Sequence, residues 1–275
     1  MNPTMQPTRI EKNATDVCHM VLDSATEDVL AVGPSPAVID GLVAVLSQHE
    51  SAPTVRLLAT ESVLKEAVGE FTDASAIADL VADDVLSLRA SAARLDGPLL
   101  LTDERVVSLV TTDERAAGLA TDDAEFVGAA RNHYADYWTD ADPFNLRTPP
   151  LSRVQETLET EFDAELADDF EAMRIALAES EGDLDEVDIS LLTAARNEAL
   201  LYDISTWGES VGLASRATFS RKKTHLEERG LITTEKVPID VGRPRLRLLL
   251  GDDRLQEADA GEVVAVAAGL LAAVQ

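Results

Sequence analysis

One stretch of about thirty residues is net positive in a chain that is otherwise strongly acidic. The 275-residue sequence holds 51 Asp and Glu against 23 Lys and Arg, a formal net charge of -28. Residues 1–150 contain 10 basic and 25 acidic residues, and residues 151–190 contain 2 and 14. Residues 216–247 reverse the balance, with nine basic and four acidic residues. Lysine occurs only as Lys12, Lys65, Lys222, Lys223 and Lys236, so three of the five lie inside this island. A local excess of cations in an acidic chain is a local requirement, and an anionic partner is the simplest one. With 45% hydrophobic residues the remainder is not the composition of a disordered chain. The acid excess, scarce lysine and 4% aromatics point to a protein adapted to high salt, where screening reduces self-repulsion.

Several functional classes drop out early. The single Cys18 excludes an intramolecular disulfide and a Cys-rich zinc site. His19, His49, His133 and His225 are scattered without metal spacing. Acidic pairs such as Asp83-Asp84, Asp122-Asp123 and Asp168-Asp169 read as solvated surface. No Gly-x-Gly-x-x-Gly or P-loop occurs, and two Ser-x-x-Lys matches (Ser62 to Lys65, Ser220 to Lys223) are too short to carry an enzyme reading. Met1 to Lys12 is polar, and the uncharged stretch Val263 to Val274 has about half the length needed to span a bilayer. The expectation is a cytoplasmic protein with no cofactor, metal or membrane partner.

Residues 1–143 alternate in the manner of an α/β domain. Strands are expected at 28–33, 54–59, 85–90, 98–101 and 106–111, with Asp103-Glu104 as a hairpin turn. Helices are expected at 37–48, from Val63, at 73–82 and at 122–138. In open α/β sheets ligands sit beyond the carboxyl ends of the strands. That rule selects Gly33 and Ser35 after the first strand, and Thr60 and Ser62 after the second, as effector-binding candidates. Ser35 and Thr60 as plain helix caps are the alternative. Arg56 and Arg131 are candidates to add charge at the same site.

Residues 144–187 form an acidic helical segment, a linker or dimerisation element. Val154, Leu158, Phe162, Leu166, Phe170 and Leu177 stand near heptad spacing, which suits a two-helix hairpin or a helix pairing with a partner chain. Residues 188–250 read as helix 189–201, a short helix 205–212, a third helix 216–229 capped by Ser215 and stopped by Gly230, and a β-hairpin. Phe219 and Leu226 point to the core, with Arg216, Thr218, Arg221 and Lys222 toward the other side. Three helices and a hairpin with cations on the third helix place that helix in the major groove, and the hairpin's Arg243 and Arg245 on flanking phosphate or the minor groove. Residues 251–275 end the chain as an apolar-faced helix, Glu262 to Val274, packing on its own domain or a second subunit. An adaptor that docks to another regulator or to the transcription machinery without touching DNA is the second reading. Promoter occupancy in cells separates the two.

The segments Ser215-x-x-Thr218-Phe219-Ser220-Arg221, Leu226 to Ile232 and Gly242-Arg243-Pro244 resemble the winged helix-turn-helix of archaeal and bacterial regulators. Lys223 departs from that pattern, which usually has an aliphatic residue there. Either its stem lies along the core or the helix is rotated. The strand–helix units after Asp28, with Tyr134-Ala135-Asp136-Tyr137-Trp138 before Ala141-Asp142-Pro143, resemble the sugar-sensing domain of TrmB-type regulators, a degenerate relative of phospholipase D folds. The phospholipase nucleophile motif, His-x-Lys with a following Asp, is absent. With the sensor first and the winged helix last, the chain resembles the TbsP (TrmB-suppressor) type of haloarchaeal regulator over nearly its whole length. The resemblance implies a homodimer that binds double-stranded promoter DNA through Ser215, Arg216, Thr218, Arg221, Lys222, Lys223, Arg243 and Arg245. It further implies genes of gluconeogenesis and central carbon metabolism as targets, and a phosphorylated sugar as effector.

Overall fold

A computed structural model describes residues 9–49, 53–112, 114–178, 180, 183–238 and 243–272. The chain divides into two compact units, residues 1–146 and 147–275.

The first unit runs β1 (Arg9–Glu11), α1 (Ala14–Ser24), β2 (Val29–Val32), α2 (Pro36–Leu46), β3 (Val55–Ala59), α3 (Glu61–Ala67) and α4 (Phe71–Ala82). It continues β4 (Leu86–Ala90), β5 (Leu99–Leu101), β6 (Val106–Thr111), β7 (Ala116–Thr121), α5 (Ala124–Asp140) and β8 (Asp142–Pro143). These strands form a mixed sheet in the order β1-β7-β6-β5-β2-β3-β4-β8. Only β2, β3 and β4 run parallel, with Val29 beside Val55 and Val55 beside Leu86. Every residue of β2 is buried, because helices cover both sheet faces and a strand so covered has no solvated side. Val29, Ala31, Val55 and Leu57 face the core shared with α1 to α4. Leu30 and Val32 face the opposite way, toward Val127 and Tyr134 of α5. Four elements go beyond the sequence expectation: the short edge strands β1 and β8, and α1 and β7. Asn13 caps α1, whose Val17, Cys18, Val21 and Leu22 are buried, and β7 pairs with β6 from Val106–Thr121 to Thr111–Ala116.

The second unit runs α6 (Leu151–Glu161), α7 (Ala164–Ala178), α8 (Glu186–Arg196), α9 (Leu201–Val211), α10 (Arg216–Glu228), β9 (Ile232–Val237), β10 (Arg245–Leu250), α11 (Asp253–Glu257) and α12 (Ala260–Ala272). The acidic segment is a two-helix hairpin. It breaks after Glu161, where the Asp163 side chain accepts from the Leu166 N–H and starts α7. Val154, Leu158, Leu166, Phe170 and Met173 are buried, with Phe170 edge-on to Trp207 at 6.2 Å. The helices α6 and α7 pack on α9 and on α8 and α12 of the same unit. Val263, Val264 and Ala267 of α12 are buried there, and Val274 lies outside the described residues.

Helix α8 is shorter than the expected 189–201, ending at Arg196; the next turn carries Glu198 in the left-handed region at φ 53. The chain then bridges Leu200 to Arg247, so the hairpin β9–β10 gains a third, one-residue rung between α8 and α9. Three helices followed by a hairpin closed by that rung make a winged helix-turn-helix.

At its centre α9 and α10 cross where Gly208 has no side chain. A Cβ built there lies 2.3 Å from Cε2 and 2.4 Å from Cζ of Phe219, whose ring is fully buried. Gly208→Ala adds helix propensity of about 1 kcal/mol. Overpacking costs about 1–3 kcal/mol, so a net loss of stability is expected. Thermal unfolding checks this; an unchanged or raised Tm contradicts the close crossing.

Cys18 gives a second test, in the first unit. Burial pushes its thiol up to about 12, partly offset by backbone hydrogen bonding. The folded pKa lies above the unfolded value, so the associated stability is complete below about pH 9 and is lost as pH rises toward 12. Native protein at pH 8 is expected to resist thiol labelling until unfolded, and Cys18→Ala is expected to flatten the alkaline decline in stability. Rapid stoichiometric labelling of the folded chain contradicts both.

Candidate nucleic-acid interface

The candidate interface is the outer surface of α10 with the adjoining wing. Gly212, left-handed at φ 87, ends α9 and turns the chain. Ser215 then starts α10 by accepting from the Thr218 N–H at 3.2 Å, and its hydroxyl lies 3.1 Å from the Thr218 hydroxyl. Phe219 and Leu226 bury one stripe of the helix. About 3.6 residues per turn then sets which side chains look out. Ala217, Ser220, Arg221, Thr224, His225 and Glu228 line a shallow outward depression.

The basic residues do not share one face. Arg221 and Arg243 are exposed, and neither makes an ion pair among the described residues. Arg216 is exposed with its Nε 2.7 Å from Glu209 Oε2, an exchangeable surface pair. Lys222 turns inward: its Nζ donates to Asp185 Oδ2 at 2.7 Å and Asp188 Oδ2 at 2.8 Å. That placement differs from the outward orientation expected from sequence, and the reason is its spacing, three residues after Phe219 and four before Leu226. Lys223 is 13% exposed and donates to Glu227 Oε2 at 2.7 Å, with Glu227 also accepting from the Thr234 hydroxyl. Of the two options open for Lys223, the buried stem is the one observed; its ammonium ends on α10's own carboxylate and not in solvent. The Lys223 and Thr234 hydrogen bonds hold Glu227 below the ordinary carboxylate range.

On the wing, Arg245 stacks 4.2 Å over the Tyr202 ring and pairs with Asp203 at 3.1 Å, which ties it to the start of α9. Arg243 adjoins residues 239–242, so the expected Gly242 of the wing tip lies outside the described residues. Thr218, the last of the expected contacts, is half-buried against the cap. The interface therefore brings together Ser215, Arg216, Thr218 and Arg221 on one helix, while Lys222 and Lys223 lie behind it. Ser220, Thr224 and His225 share the Arg221 face and were absent from the sequence candidates; the spacing of Thr224 and His225, three and four residues after Arg221, and of Ser220, four before Thr224, was the available signal.

In the first unit, Gly33 and Ser35 follow β2 and Thr60 and Ser62 follow β3, at the same edge of two paired parallel strands. Ser35 and Thr60 are N-cap residues whose side chains make no capping hydrogen bond, and the Thr60 and Ser62 hydroxyls are 3.1 Å apart. Gly33 is left-handed at φ 57, and a Cβ there would lie 2.9 Å from the Gly97 carbonyl, so the 91–98 loop sits against this strand end. Arg56 and Arg131 do not join this group. Both pair with Asp28, at the opposite end of β2. A cleft of about 540 Å³ lies elsewhere, between α1 and β6–β7, lined by Val17, Met20, Arg105, Val107 and Gly118 among others. Among the described residues no group of three or more His, Cys, Asp or Glu could hold a metal ion, and no helix is long and apolar enough to cross a membrane.

No curated protein matches the sequence. Among solved structures, TrmBL2, an archaeal chromatin protein, is 18% identical over 51% of this chain and 54% of its own, with a TM-score of 0.38. This chain thus spans about half the length of that protein. Nuc, a phospholipase D family member from Salmonella typhimurium, is 14% identical over 50% of this chain and 99% of its own, with a TM-score of 0.37. NucT from Helicobacter pylori is 13% identical over 50% and 99%, with a TM-score of 0.35. Family models match both units: the N-terminal model of TbsP-like transcriptional regulators covers residues 6–149, and the C-terminal HTH model covers residues 150–268. With both models matched in order along almost its whole length, the chain belongs to the TbsP-like transcriptional regulators and is not an enzyme.

Proposed function

We propose that this regulator reads double-stranded promoter DNA by laying α10 in the major groove and the wing on the flanking backbone or minor groove. The observation that carries the reading is the pair of exposed arginines, Arg221 on the outer face of α10 and Arg243 on the wing, in a chain of net charge -28. Cations held outward at two points of a winged helix meet the geometry of a groove and its neighbouring phosphates. Ser215, Arg216 and Thr218 at the start of α10 supply further contacts, and Arg245 supports the wing from its stacked position on Tyr202.

The finer reading is a cytoplasmic homodimer of a salt-adapted, haloarchaeal cell, acting on genes of gluconeogenesis and central carbon metabolism. A dimer suits paired half-sites one helical turn apart. A phosphorylated sugar would bind the first unit at Gly33, Ser35, Thr60 and Ser62. What supports that location is two neighbouring strand ends, each followed by a helix whose N-terminal N–H groups favour an anion.

The double variant Arg221→Ala/Arg243→Ala is expected to lose specific promoter binding while its circular dichroism and Tm stay close to the parent. Each lost arginine contact costs about 1–3 kcal/mol where it reads a base. Retained sequence-specific binding by the folded double variant overturns the assignment.

A further inference from the structure

The inward lysine of α10 has a role that the DNA reading leaves open. We propose that Lys222 is a positioning residue: it fixes the rotation of the reading helix through an ion cluster with Asp185 and Asp188 and touches no DNA itself. The inference rests on the DNA-binding reading above.

The geometry leaves the ammonium little freedom. Its two short bonds run to carboxylates that together form the capping box of α8. Asp185 Oδ1 accepts from the N–H groups of Val187 and Asp188, while Asp188 Oδ2 accepts from the Asp185 N–H and from Lys222. Lys222 therefore ties α10 to the first turn of α8, the helix that opens the winged fold. The side chain of Asp188 is only 3% exposed, and its Oδ1 is buried without a partner among the described residues. If Lys222 swung out to a phosphate, it would strand a buried carboxylate, a larger loss than one solvated phosphate contact returns.

The surrounding electrostatics agree. Burial works against Asp188 and holds it above the ordinary carboxylate range despite the lysine. Burial also works against Asp185, but hydrogen bonds from Lys222 and the Asp188 N–H outweigh it and hold Asp185 low. Burial opposes the charge on Lys222 too, and the two carboxylates outweigh it. On the other flank, the Lys223–Glu227–Thr234 chain ties the same helix to β9. Held on both sides, α10 has one azimuth available, the one that turns Ser220, Arg221, Thr224 and His225 outward.

The test uses the full chain, a fluorescent promoter duplex and a salt series. The slope of log affinity against log salt counts phosphate contacts, about 0.9 per neutralised phosphate. Lys222→Met is expected to weaken binding roughly tenfold, on the scale of one displaced base contact, with the slope unchanged. Arg221→Ala is the control. The double variant Lys222→Met/Asp188→Leu, which replaces the buried pair with apolar groups, is expected to recover most of the lost affinity. A slope shallower by about one in Lys222→Met, with no recovery in the double variant, overturns the proposal and makes Lys222 a phosphate contact. Should Lys222→Met not fold, the double variant decides alone: wild-type slope supports the proposal, and a slope lower by about one overturns it. A wild-type chain that binds no duplex refutes the DNA reading instead. The clamp is then judged by amide exchange along α10, where faster exchange in Lys222→Met supports it and unchanged exchange overturns it.

Discussion

The azimuth of α10 about its own axis decides what this protein presents to a partner, and it is fixed from the inside. Phe219 reaches into the gap left by Gly208 of α9, Leu226 is buried two turns further on, and Lys222 and Lys223 end on carboxylates beside that stripe. A rotation of the helix by one position, about 100°, would bring Ser220 into the place of Phe219 and turn the Phe219 ring toward solvent. The rest of the second unit follows from this packing. The helices α6 and α7 supply Leu158 and Phe170 to the same core, with Thr157 accepting from the indole N–H of the fully buried Trp207. The acidic hairpin is thus part of the winged helix's own core; most of its carboxylates are exposed, while Asp169 pairs with Arg196 and accepts from Asn197 at the end of α8.

The first unit obeys a different constraint. Its central strands are covered on both faces, which demands continuous apolar runs in β2 and most of β3. The exceptions carry charge for local reasons. Arg56 and Arg89 lie on the α5 side of the sheet, where the Trp138 ring lies between them at 5.7 and 4.9 Å and the Trp138 carbonyl accepts from Arg89. Asp28 neutralises Arg56 and Arg131 together. Cations in this unit accordingly hold α5 to the sheet, a structural use that a count of charges does not reveal.

How much of this was legible in the residues depends on whether the determining contact is local. The strand β2 and most of β3 were readable because a doubly covered strand has to be apolar, β4 because Leu86 and Leu88 alternate with Ser87 and Arg89, and α10 because Ser215 and Gly230 mark both of its ends. The strand β7, Ala116-Ala-Gly-Leu-Ala-Thr121, was not: it has no β-branched run, and its Gly118 is set against Val107 and Val17, close contacts made only in the fold. The wing and the reading helix were visible in outline. The division of labour among the cations was half visible. Helical spacing from Phe219 assigns Lys222 to the buried side and groups Ser220, Thr224 and His225 with Arg221. The partners that make an inward lysine tolerable, Asp185 and Asp188, lie more than thirty residues away and are brought close only by folding.

The same partition explains how an acidic chain can still meet DNA. Bulk attraction to phosphate weakens steeply with salt, so fit and a few well-aimed cations have to supply specificity. The most direct test is a high-resolution structure of the full chain on a promoter duplex. The account requires the Arg221 guanidinium at base edges in the major groove, Arg243 on the adjoining backbone or minor groove, and Lys222 still bonded to Asp188. A duplex bound away from α10, or one in which Arg221 faces solvent while Lys222 sits on a phosphate, would contradict it.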